Sequence, residues 1–341
     1  METRPLWEIQ QVRLPLKYTW KISRNASDEK VNLVVRHSFQ DITGYGEAAP
    51  NVRYGESPDL LLTQFEEFTH THDRPLESEA EIQSILDRSG MAYSLRFAIE
   101  SAWMHRQACN RRSSLIAMLD IPEADHLATS YTVPIMDPGK LHDFLNHYRL
   151  HRFPIIKLKV DRLSAGDLLK ELFANYKGRV LLDANEAFTD VDDCIRFLEG
   201  VRKMPLELVE QPLPSRLTQE ATYMKKYSPF PLFADEAVTH EIDMESVSSA
   251  YHGVNMKLMK AGGYRRGLEI LRAAKQYGLK TMVGCMVETT LGISSAMHLA
   301  GLADYTDLDS FLLLEHEPFG MISEKEGKLS FIGNQLDPVP A

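Results

Sequence analysis

Two lysines stand two residues apart in the run FPIIKLKVD, at Lys157 and Lys159. In a strand, alternation sends both ammonium groups to the same side. Asp183 follows in VLLDAN, Glu210 in LELVEQP, Asp235 in PLFADE and Lys257 in GVNMKLMK. Three converging carboxylates repel one another and are costly to bury unpaired. A hard divalent cation removes that cost. An all-oxygen set suits Mg²⁺, one ion per subunit, which keeps positions open for water or substrate. The lysines flank the metal, Lys157 and Lys159 from the strand before it and Lys257 from the strand after. A lysine near cations and partly desolvated is expected to have a lowered pKa and to serve as a base. A substrate carboxylate on the metal would hold its α-carbon between two amines. Removing the α-proton makes an enediolate, whose second charge the metal stabilises. A base on one face and an acid on the other invert that carbon, so the residues point to racemisation or epimerisation.

These groups need a scaffold that brings distant strand ends together. From SYTVPI onward, short β-like runs alternate with helical stretches, which implies βα units and a parallel sheet. Six of the last seven runs carry polar or charged groups at or near their C-terminal ends, and the remaining one, TMVGCMVE, reaches Glu288 a little later. Successive positions lie 22 to 27 residues apart, one βα unit each time, allowing for the uncharged strand. In a (β/α)8-type barrel the C-terminal strand ends converge on one site. Before this series, residues to about 60 are β-rich and turn-rich, and Ser78 to Leu119 turns helical, as in MAYSLRFAIESAWMHRQA. The expected division is an α+β segment over 1–122 and a barrel over 123–314.

Composition bounds the function classes. The chain has 341 residues, 44% hydrophobic and 25% charged, which suits a barrel-sized soluble unit with an added domain. A net charge of −10 speaks against nucleic-acid or anionic-membrane partners. No apolar run is long enough to span a bilayer, and the N-terminus lacks a signal-peptide core. Three widely spaced cysteines, Cys109, Cys194 and Cys285, fit a reducing cytoplasm better than a disulfide framework.

In order and spacing, GYGEAAP with RYGE after it, the KLK pair, DAN, VEQP, ADE and NMKLMKAGG resemble the enolase superfamily, in its muconate-lactonising-enzyme-like subgroup. The resemblance covers nearly the whole chain. It implies an α/β fold, a modified (β/α)7β TIM-like barrel, with an α+β capping domain that the C-terminal tail, about 315–341, joins. It implies Mg²⁺ on Asp183, Glu210 and Asp235, with Lys159 and Lys257 as the acid/base pair and Lys157 near the substrate carboxylate. It also implies homo-oligomers.

The last strand, YTDLDSF, discriminates within the subgroup. Asp307 and Asp309 point the same way, and two carboxylates at the mouth want a cation, for which an α-ammonium is a good candidate. An Asp-x-Asp here resembles the dipeptide epimerases, where the pair grips the substrate's free amino terminus. SYTV, with Thr132, and VGCMVETTLGISSA, with Cys285 and Met286 at the pocket, look like the same family. The commonest family activity interconverts L-Ala-D-Glu and L-Ala-L-Glu in cell-wall peptide recycling. A glutamate side chain needs a cation. Arg24 in YTWKISRN is the first candidate and Arg53 in PNVRYGE the second, although Trp20 and Lys21 depart from the better-known Ala-Glu epimerases.

Rival readings are o-succinylbenzoate synthase, N-acylamino acid racemase and cycloisomerase on the same scaffold. Their substrates carry no ammonium for Asp307 and Asp309. A Schiff-base barrel has no use for the carboxylate triad, and a non-catalytic binding protein has none for two lysines beside it. Gln211 turns away from the site by strand alternation. His298, His240, His252 and His316 show no metal-ligand spacing, and His298 suits a packed helix. Gly262 and Gly263 shape the loop after the sixth strand rather than holding an anion.

Overall fold

The computed structural model describes residues 5–332, apart from 73, 77, 125 and 126. Three antiparallel strands open the chain: β1 (Leu6–Lys21), β2 (Ala26–Phe39) and β3 (Ile42–Ala48), paired in that order. Helices Pro58–Thr71, Glu79–Arg88 and Tyr93–Arg111 follow. The first two begin on side-chain caps, Ser57 and Ser78, each accepting an early backbone N–H. The third lies directly against β3. A Cβ at Gly44 or Gly46 would collide with the carbonyls of Ala102 and Ala98, so only glycine allows this approach.

Eight parallel strands then form one sheet: β4 (Tyr131–Val133), β5 (Ile155–Lys159), β6 (Arg179–Asp183), β7 (Leu206–Glu210), β8 (Leu232–Ala234), β9 (Gly253–Lys257), β10 (Lys280–Gly284) and β11 (Tyr305–Asp307). Helical segments follow the first seven, and only a short 3-10 turn, Ser310–Leu313, follows β11. This is the expected (β/α)7β order. Ser130 N donates to Thr306 O at 3.3 Å and Leu308 N to Thr129 Oγ1 at 2.8 Å, so the sheet nearly closes into a barrel between β4 and β11.

Strand alternation sorts the barrel's residues. Ile156, Leu158, Val180, Leu182, Val209, Val254, Met256 and Val283 join the main hydrophobic core, whereas Ile155, Leu181, Leu208, Phe233 and Met282 form a separate buried cluster with Tyr305 against it. Two residues beyond that cluster on the same faces come Lys157, Asp183, Glu210, Asp235, Gly284 and Asp307. An apolar floor thus lies beneath a charged layer.

After β11 the chain crosses the cap, where Glu315 N donates to Pro15 O at 2.9 Å and Phe319 packs on Val34. The hairpin β12 (Ile322–Lys325) and β13 (Lys328–Phe331) then runs to the barrel's lower end. Thr129 N donates there to Gly327 O, and Gly327 lies against Pro154. The tail beyond 332 lies outside the described residues. Among those described, no helix is long and apolar enough to cross a membrane.

Candidate active site

A cavity of about 390 Å³ lies between the charged strand ends and the loops of the N-terminal unit. Asp183, Glu210 and Asp235 end or follow three adjacent strands, are buried, and offer oxygens within 4.8 Å of one another. Their surroundings fit a cation. Glu210 Oε1 accepts from Asn255 Nδ2 at 2.9 Å, but buried Oε2 has no hydrogen-bond donor. Lys157 Nζ stands 2.9 Å from Oε2, at ion-pair distance without a hydrogen bond's alignment. Burial pushes the Glu210 carboxyl above the ordinary range; Lys157 offsets this in part, while Asp183 and Asp235 reinforce it. A divalent ion among the three would supply the missing charge and occupy the orphaned oxygen.

Lys159 and Lys257 face each other across this triad. β5 and β9 are four strands apart in an eight-strand ring, so their ends are opposed. Lys159 Nζ is 2.8 Å from Asp183 Oδ2 and 2.9 Å from Asn185 Oδ1, beneath the Trp20 ring at 5.8 Å. Lys257 Nζ is 3.0 Å from Asp235 Oδ2. The expected lowering of a lysine pKa depends on a cation at the triad, whose charge would offset the carboxylates that dominate at two of the lysines. Burial does pull the Lys257 amine down, but Asp235 outweighs it and the net shift is upward. Lys157 is likewise raised, its burial outweighed by Asp183, Asp307 and Glu210. The nearest charges to these lysines are carboxylates rather than cations, which reverses the sign.

The aspartates of the last strand are both buried, yet unlike. Asp307 Oδ2 binds Lys157 Nζ at 2.7 Å and Oδ1 accepts from Ser130 Oγ at 2.7 Å. Burial raises its carboxyl, but Lys157 outweighs that and holds it below the usual range. Asp309 accepts from Thr132 N at 2.5 Å and Thr132 Oγ1 at 3.2 Å, and pairs with no lysine or arginine among the described residues. Burial first, then Asp307, push it upward. One carboxylate is therefore neutralised internally and the other awaits a cation. Thr132 orients the pair across the β4–β11 seam.

Arg24 and Arg53 both line the cavity, and both guanidinium groups already pair with carboxylates. Arg24 donates to Glu186 Oε2 at 2.8 Å, Glu236 Oε1 at 2.7 Å and Asn185 O at 2.9 Å. Arg53 donates to both oxygens of Glu186, at 3.0 and 2.9 Å. Ser23 Oγ adds a bond to Asn185 O at 2.6 Å. Two loops of the N-terminal unit are thus fastened to the barrel loop after β6. Backbone strain gathers here: Asn185, Glu186 and Gln211 all take positive φ, at 41°, 66° and 35°.

Cys285 lines the cavity with its Sγ 3.2 Å from Asp307 O, and burial keeps its thiol well above the ordinary range, unlike a nucleophile. Met286 lines the same wall. Gln211 is no ligand; its Oε1 accepts from the backbone N–H groups of Asp235 and Ala237, at 2.9 and 3.2 Å, and so sets the Asp235 loop. The sequence reading overlooked Asn255, Lys260, Glu186 and Glu236. Lys260 Nζ lies 2.6 Å from Asp235 Oδ1, three residues after Lys257 on the following turn, and that spacing was the available signal.

Gly262 and Gly263 have φ of 79° and 147°, and no external anion is needed at the helix they precede, Tyr264–Gln276. Glu100 fills that place, accepting from Tyr264 N at 2.6 Å and Arg265 N at 3.4 Å, and a Cβ at Gly263 would strike it. Similarly, Glu47 accepts from Thr289 N, Thr289 Oγ1 and Gly292 N at the start of helix Thr290–Met297. His298 is a packed residue, stacked on Phe331 at 5.2 Å.

Comparison with known proteins agrees with this architecture. Residues 140–320 match the enolase C-terminal domain-like family. The L-Ala-D/L-amino acid epimerase of Pedosphaera parvula is 30% identical, over 93% of this chain and 93% of its own length. That of Flavobacterium johnsoniae is 28% identical, over 95% and 96%. Among solved structures, the L-Ala-D/L-Glu epimerase of Bacillus subtilis, in a substrate-liganded complex, superimposes with a TM-score of 0.88 at 26% identity, covering 96% of each chain.

Proposed function

Because this chain belongs to the enolase C-terminal domain-like family, we propose that it is a Mg²⁺-dependent dipeptide epimerase, an isomerase that inverts the α-carbon of the C-terminal residue. The observation that carries this reading is the opposition of Lys159 and Lys257 across three carboxylates, with buried Asp309 on the cavity wall unpaired with any cation of the described residues. Mg²⁺, held by Asp183, Glu210 and Asp235, supplies positive charge against which the substrate carboxylate can take up a second negative charge.

The chain's own groups do the rest. Asp309, with Asp307 behind it, receives the dipeptide's α-ammonium. Lys157 stands beside the triad, 3.1 Å from Asp183 and 2.9 Å from Glu210, and offsets carboxylate charge. One of Lys159 and Lys257 removes the α-proton, and the C–H bonding pair moves into the carboxylate. The other lysine delivers a proton to the opposite face, so one C–H bond breaks, one forms, and configuration inverts. The Trp20 ring over Lys159 and the fastened loops keep bulk water from that amine. The substrate pair we favour is L-Ala-D-Glu and L-Ala-L-Glu, in cytoplasmic recycling of cell-wall peptide, by a homo-oligomeric enzyme.

Deuterium exchange tests this. The protein is incubated in D₂O and Mg²⁺ with a dipeptide library, with EDTA controls, and read by mass spectrometry. A one-dalton gain on L-Ala-L-Glu that EDTA abolishes is the expected result. Exchange only on N-acylated or cyclic acids would overturn the dipeptide reading while keeping the lysines and carboxylates.

A further inference from the structure

We infer that Lys30 is a specificity-determining residue, reading an anionic side chain on the dipeptide. This rests on the epimerase reading above and adds to it the chemistry of the substrate's side chain. Six cationic residues line the cavity: Arg24, Lys30, Arg53, Lys157, Lys159 and Lys257. Five already hold carboxylates. Arg24 and Arg53 share Glu186, Lys157 and Lys159 share Asp183, and Lys257 holds Asp235. Of these side chains, that of Lys30 alone has no hydrogen bond or ion pair to any of the described residues.

Its neighbours on β2 are spoken for. Glu29 points to the other face and pairs with Arg13, and Asp28 accepts from Thr19 Oγ1. Asn32, two residues on along the same face, donates to Glu47 and to Val287 O, in the loop after β10. Lys30 therefore enters the mouth beside that loop, about 7 Å along the strand from Asn32 toward the hairpin's tip, and lines the same cavity as Trp20. Half-buried, its amine is drawn below the ordinary lysine range by burial, with no carboxylate to raise it.

An unpaired cation in a cavity of this kind calls for an anion from the ligand. The substrate's α-carboxylate belongs to the triad and Lys157. A second anion must come from a side chain, as in a glutamyl or aspartyl residue. Arg24 and Arg53 would have to leave Glu186 to compete for it, whereas Lys30 breaks no bond.

The test compares acid with isosteric amide at each end of the dipeptide: L-Ala-L-Glu against L-Ala-L-Gln, and L-Glu-L-Ala against L-Gln-L-Ala. Wild type, Lys30→Met and Lys30→Arg are assayed by deuterium exchange. In one of the two pairs, the wild type is expected to favour the acid about tenfold or more in kcat/KM. Lys30→Met should erase most of that ratio, mainly through KM, and Lys30→Arg should restore it. The pair that responds identifies which residue carries the acid. A wild-type ratio near one in both pairs, or a ratio that survives Lys30→Met, overturns the inference and leaves the epimerase reading standing. Absence of exchange on every dipeptide overturns that reading, and this one with it.

Discussion

Lys260 Nζ holds Asp235 Oδ1 at 2.6 Å, leaving the other oxygen of that carboxylate to Lys257 at 3.0 Å. Both partners are buried, and breaking one side of such a pair is costly. Lys260→Met is expected to lose on the order of 3 kcal/mol of stability. The loss should shrink at saturating Mg²⁺, because Asp235 freed of one ammonium binds the ion more tightly in the variant than in wild type, and tighter binding adds more stability. Urea unfolding with and without Mg²⁺ measures both. A deficit that Mg²⁺ leaves unchanged would mean that Lys260 acts by packing alone.

The opposed lysines give a sharper prediction. Lys159→Ala and Lys257→Ala should each lower epimerisation by at least about 10³-fold, within the span of general acid–base effects, while leaving the circular dichroism spectrum unchanged. Near-wild-type turnover in either variant would rule out a two-base reaction.

Asp307 and Asp309 are predicted to behave differently. Asp309→Asn should raise KM for free-amino dipeptides about 10- to 100-fold, the worth of a charge-assisted hydrogen bond, and affect N-acetylated analogues far less. Asp307→Asn removes a partner of buried Lys157 and should depress activity on both kinds of substrate. Equal responses to the two substitutions would show that the aspartates act as one unit.

Parity and spacing made the ring of strand ends legible. Lys157, Lys159, Asp183, Glu210, Asp235, Lys257 and Asp307 all fall on inward-facing strand ends; five of them line the cavity, and Asp183 and Glu210 meet Asp235 at its edge. What the pattern could not carry was contact across long separations. Thr132 is legible as a strand residue, but its bond to Asp309 spans 177 positions. Glu186 and Glu236 look like ordinary loop acids until Arg24 and Arg53 are placed on them. The carboxylates that draw Lys157 and Lys257 upward were hidden for the same reason. Residue types give the charges present, but the distances that decide which charge wins come only from the fold.

Stability should also respond to acid through the packed histidines. Burial, with His105 nearby, lowers the His298 pKa from 6.5 to about 3, so the ring is neutral in the folded protein. The unfolded chain binds that proton first as pH falls. The contribution is therefore complete above about pH 6.5 and is lost progressively toward pH 3. Replacing the residue, as in His298→Leu, should flatten the slope of unfolding free energy between pH 6 and 4 by about 1.4 kcal/mol per pH unit, one proton's worth. The difference in slope is read against wild type, so a change in absolute stability does not obscure it.

Glu47 and Glu100 have a consequence for how this molecule could be altered. Two barrel helices begin on carboxylates that the N-terminal unit provides, one to helix Thr290–Met297 and one to helix Tyr264–Gln276. A barrel expressed by itself would expose two bare helix starts, and the N-terminal unit by itself would carry two stranded acids. The halves are thus not interchangeable cassettes. A graft that transplants specificity from a relative must keep these two anchoring glutamates, while the hairpin bearing Trp20, Arg24 and Lys30, which precedes both, can be rewritten.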